Sequence, residues 1–198
     1  MDSAKNSEPI DSLDFRNNKQ QLILSYLLRI SGVFIFGYLF FVIAEHLYKT
    51  DQVNFKKLFE IEIQSLPSIV SIILIIIDVV VVLYLHELIH AAVFYFTHKQ
   101  KPKIGIRGFI IFAAAPNKIL NKNQMITNAF APFVVITLVG FLLMTLIPID
   151  FSAWIFIPMV VNAAAAGGDF MTIFWVLKQP KGVKFIDIGD ITNAYIQK

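Results

Sequence analysis

The chain has 198 residues, 57% of them hydrophobic, with 19 Phe and a mean hydropathy of +0.67. That composition excludes an ordinary soluble domain and points to a single polytopic membrane unit. The net charge of +3 calls for no nucleic-acid partner, because the basic residues flank apolar segments, and with 0 Cys both disulfides and thiolate ligands are excluded.

Residues 1–21 read as a polar, mobile N-terminal tail, with Asp2, Glu8, Asp11 and Asp14 against Lys5, Arg16 and Lys19. About 20 apolar residues cross a bilayer core, and four segments qualify. The first, 22–44, lacks the short apolar core and small-residue cleavage site of a secretory signal, so it is expected to be a retained span. The second, 66–96, opens with Ser65 and Pro67 as helix-start signals.

Inside that second span the sequence spells His86-Glu-Leu-Ile-His90. On a helix, positions i and i+4 lie about 40° apart around the axis, so both imidazoles can reach one ion. Glu87 projects beside the same ion, where it can act as a general base, the HExxH arrangement of zinc peptidases. Ionisable side chains are costly in lipid, so their presence points to function more strongly than in a soluble helix.

A long connection, 97–128, follows. Its stretch from Lys103 to Phe112 partly alternates and is rich in β-branched and aromatic residues, which suits a strand or hairpin, or an interfacial loop. The third span is 129–147, with Pro132 at a tolerated early position. The fourth is 151–177, and 178–198 is a C-terminal tail with no catalytic pattern. The expected fold is all-α: a polytopic membrane helix bundle of about four transmembrane helices, with room for a short β-hairpin in the long loop. The membrane-embedded domain spans 22–177.

Lys and Arg outside the spans number three in the N-terminal tail, six in the 97–128 connection and four in the C-terminal tail, against three in the first connection. The positive-inside rule therefore places both termini and the long connection in the cytoplasm of a multi-pass cell-membrane protein.

A catalytic zinc site takes three protein ligands and keeps one position open. Glu87 and His90 lie nine and six residues from the cytoplasmic exit of the second span, roughly 9 to 14 Å deep. Asp169 lies eight residues before the exit of the fourth span, roughly 12 Å deep. The depths agree, and Gly167 and Gly168 would allow close backbone approach or a helix break around the ion. Asn162, about two turns earlier, could serve a substrate carbonyl or oxyanion, or make an inter-helix contact. Asp78 suits a supporting contact with Arg29 or a hydroxyl. His46 ends the first span on the opposite side, and His98 reads as an interfacial residue.

HELIH on a membrane helix, Gly167-Gly-Asp169 on a later one, and Ala131-Pro132 opening the span between them resemble the bacterial zincin-type membrane peptidases, small relatives of the site-2 proteases. The resemblance covers roughly 79–177. It implies zinc ligation by His86, His90 and Asp169, with Glu87 as general base. Unlike the site-2 pattern, Asn162 is followed by alanines without a proline, and the glycines precede Asp169.

The function expected is a zinc-dependent membrane-embedded endopeptidase, acting on membrane-protein or peptide substrates. A catalytically silent metal-binding membrane protein is the alternative. A metal-ion carrier is a weaker one, since its polar groups would be strung along a path rather than clustered at one depth.

Overall fold

The computed structural model of the chain describes residues 8–48, 55–63, 66–98, 103–107, 110–114 and 119–196. Asp2, Ser65 and the lysines at 5, 49, 99, 101, 118 and 198, which bear on the span and charge signals, lie outside the described residues, as does the side chain of His98. Among the described residues, four helical segments are long and apolar enough to cross a membrane: α1 (Lys19–Tyr48), α2 (Ser68–His98), α3 (Lys122–Leu146), and a fourth formed by α4 (Ala153–Ala165) and α5 (Gly167–Lys178).

Their starts follow from local chemistry. Asn18 Oδ1 accepts from the amides of Gln20 and Gln21 at 3.1 and 3.2 Å, an N-cap for α1. Asn121 Oδ1 accepts from the Gln124 amide while Gln124 Oε1 accepts from the Asn121 amide, both at 2.9 Å. That reciprocal capping box starts α3 at Lys122, almost two turns before the apolar segment begins. Hydrophobicity alone placed the start of this span at 129, inside the helix. Large apolar side chains face outward along these helices, with Phe34 at 73%, Leu146 at 71% and Phe96 at 78% exposure, a pattern stable against lipid rather than water.

The chain forms two compact units by its internal contacts, with the boundary passing through the unbroken helix α2 between His86 and Glu87. One unit comprises Leu28–His86 and Phe133–Gly167. Its core gathers Phe40, Ala44, Leu58, Met144, Phe156, Met159, Val160 and Ala163. Small residues let backbones approach here, with Ala164 Cα 3.1 Å from where a Cβ on Gly32 would stand.

The other unit comprises residues up to Leu27, Glu87–Pro132 and Gly168 onward. It contains a three-stranded antiparallel sheet, ordered β1 (Asp11–Asp14), β5 (Ile191–Ile196), β4 (Val183–Asp187). Asp11 pairs with Ala194, and Phe185 pairs with Ala194 from the other side. Both segments expected to be tails thus supply strands. Asp11 Oδ2 accepts from Trp175 Nε1 at 2.9 Å and from Gln179 Nε2 at 2.6 Å, fastening β1 to α5. Lys122 Nζ donates to the carbonyls of Leu177 and Gln179, the orphan acceptors at the end of α5. The hairpin expected in the long connection is present as β2 (Lys103–Arg107) and β3 (Ile110–Ala114), paired antiparallel with Lys103 opposite Ala114.

Candidate metal centre

His86 and His90 stand one turn apart on α2, and both are buried. In each ring the nitrogen turned away from its neighbour is already committed. His90 Nδ1 donates to the backbone carbonyl of Asn128 at 2.9 Å. His86 Nδ1 donates to Asn162 Oδ1 at 2.9 Å. A carbonyl oxygen only accepts, so each Nδ1 carries a proton and Nε2 is the nitrogen left for an ion.

The carbonyl that orients His90 is available for a chemical reason. Inside a helix the carbonyl of residue i−4 bonds to the amide of residue i, and proline has no amide hydrogen. Pro132 lies inside α3 four residues after Asn128, so the Asn128 carbonyl has no helical donor and turns to the imidazole. The proline expected at a tolerated helix start sits within the third turn, where it frees an acceptor.

Asp169 comes from the break in the fourth span. The α4 helix ends at Ala165, and Asp169 lies in the first turn of α5. Gly167 is required at this break. A Cβ there would stand 2.9 Å from Arg29 Cγ and 3.0 Å from Arg29 N, too close to the α1 backbone. Asp169 Oδ1 lies 3.5 Å from His90 Nε2. One ligand atom from each of His86, His90 and Asp169 falls within 4.8 Å of the others. Two donors on one tetrahedral zinc, each about 2.0 to 2.2 Å from it, are separated by roughly 3.3 to 3.5 Å, so the spacing of His90 and Asp169 suits a shared ion. Glu87, half-buried, follows His86 on the same helix and is outside this ligand set.

Asn162 is fully buried, and its Nδ2 has no hydrogen-bond partner among the described residues. Asp78 has no hydrogen bond or ion pair among the described residues, and Arg29, considered above as its partner, lies against Gly167. His46 Nδ1 donates to the Val42 carbonyl of its own helix at 2.8 Å, a local contact.

Two groups that interact with His90 were missed in the sequence. The Asn128 carbonyl has no letter of its own, although Pro132 four residues later is its signal. Asp187, at the end of β4, is buried, and its Oδ1 accepts from the Gly189 amide at 2.9 Å. Burial above all, with Asp169 and Glu87, outweighs the Gly189 amide and His90 and raises its carboxyl to about 7.

A family model described as "putative zincin peptidase" matches residues 79–184, more than half of the chain. The chain belongs to that family. The matched segment of this zincin-family chain holds His86, Glu87, His90, Asn128, Asn162 and Asp169, and ends before Asp187. No curated protein and no solved structure matches the chain. Family membership implies a zinc metallopeptidase, and the donor set fits that ion: two imidazoles with Nδ1 protons engaged elsewhere, and one carboxylate.

Proposed function

We propose that this zincin-family chain is a membrane-embedded, zinc-dependent endopeptidase of the site-2 type, cleaving membrane proteins or peptides at the bilayer. The observation that carries the reading is the convergence of His86, His90 and Asp169, with both rings held in the ligand tautomer and Glu87 beside them. When bound, Zn²⁺ supplies Lewis-acid polarisation of a scissile carbonyl and acidification of water. Glu87 takes a proton from the attacking water and delivers it to the leaving amine. Asn162 Nδ2, buried and unpartnered among the described residues, supports a role in donating to the substrate carbonyl as its oxygen gains charge. The β2–β3 hairpin offers a strand edge to an extended substrate. The thirteen-to-three distribution of basic residues supports an orientation with both termini cytoplasmic and water reaching the site from that side.

The test compares metal content with cleavage. Wild type is expected to carry about one zinc per chain, and His86→Ala/His90→Ala to lose it. Glu87→Gln is expected to keep the zinc while losing roughly 10² to 10⁴-fold in cleavage rate. Asp169→Ala should weaken both. A Glu87→Gln variant that rescues every cellular phenotype abolished by His86→Ala would establish a silent metal-binding protein instead.

A further inference from the structure

The C-terminal hairpin carries a buried carboxylate, Asp187, that neither the HExxH motif nor the family match includes. Strand residues alternate faces, so Val183, Phe185 and Asp187 share one side of β4, and all three are buried. The first two belong to a core cluster with Phe94 of α2 and Val176 of α5. Phe94 lies one turn past His90 on α2, and Val176 lies two turns past Asp169 on α5. Phe185 shares that cluster with Phe94, and Asp187, two residues on along the same buried face, interacts electrostatically with His90 and Asp169. Reciprocal backbone bonds between Leu120 and Phe185, each 2.8 Å, hold β4 in this register.

We propose that Asp187 is a positioning residue of the zinc centre, whose negative charge strengthens metal binding from outside the ligand set. It is not one of the residues whose ligand atoms cluster, yet it interacts electrostatically with His90, Asp169 and Glu87. Its hydrogen bond to the Gly189 amide gives it a turn-forming role that a neutral asparagine would fill equally well. A buried carboxylate in place of asparagine costs desolvation unless a cation compensates, and a divalent ion among three carboxylates is such a cation. The inference rests on the zinc reading above and deepens it.

The experiment uses the full-length chain in detergent, with zinc affinity measured by competition against a chelator and amide exchange followed across 183–196. Asp187→Asn preserves size and can still accept from Gly189, so the hairpin should keep its exchange protection. Zinc affinity is expected to fall roughly 10 to 100-fold, the range for groups that support metal ligands. Equal affinity in wild type and Asp187→Asn would overturn the proposal alone. So would an affinity loss accompanied by loss of protection in 183–196, which would make Asp187 a fold residue. A wild type that takes up no zinc, or His86→Ala/His90→Ala binding it as wild type does, would overturn this inference together with the functional reading beneath it.

Discussion

His90 Nε2 stands 3.5 Å from Asp169 Oδ1, while the opposite nitrogen of the same ring donates to the Asn128 carbonyl. Three segments distant in sequence thus meet at one imidazole. The ring is fixed from behind by backbone, with Nε2 left toward the carboxylate.

Pro132→Ala separates the metal centre from helix stability. The new amide would compete with His90 for the Asn128 carbonyl, while removing proline relieves a helix-interior penalty of about 3 kcal/mol. Thermal stability of the metal-free chain should stay level or rise, and zinc affinity should fall roughly tenfold or more. Melting curves and chelator competition on one preparation check both. Unchanged zinc affinity would show that the freed carbonyl does not govern the ring.

Asn162→Ala tests two roles of one side chain. Its Oδ1 orients His86, so the variant should need more zinc to saturate, by roughly 10 to 100-fold. If Nδ2 also serves the substrate, cleavage stays depressed at saturating zinc, by roughly 10² to 10³-fold for one lost oxyanion donor. Full recovery of rate with excess zinc would restrict Asn162 to holding His86.

Asp187 makes the metal-free fold sensitive to pH. Its carboxyl is raised by burial from an ordinary 3.8 to about 7, so the protonated form favours folding. That contribution is complete below the unfolded value and is lost as pH rises through the folded one. The chelated chain should therefore lose stability between about pH 5 and about pH 8, and Asp187→Asn should flatten the decline. Thermal denaturation at the two pH values, with and without the substitution, measures it; parallel slopes would remove Asp187 as the source.

Orientation is checked by single cysteines in this cysteine-free chain. With the long connection cytoplasmic, a cysteine at Lys122 resists an impermeant thiol reagent in intact cells, and one at Lys56 labels. The reverse pattern would invert the topology and place the metal centre near the other face.

The sequence by itself determined the four apolar spans and the shared face of His86 and His90. Lipid demands about 20 apolar residues per crossing, and i, i+4 spacing is a property of one helix that needs no partner. It also made Asp169 a candidate, because depth can be counted from a span's end. The start of α3 was legible only in the Asn121–Gln124 capping box, a polar signal that a hydrophobicity criterion passes over. Only the tertiary structure decided that Pro132 frees a carbonyl for His90, that the fourth span breaks where Gly167 meets Arg29, and that a C-terminal hairpin buries Asp187. These depend on which backbones approach one another across distant segments. Neither a carbonyl's partner nor a sheet's register is written in any single stretch of residues.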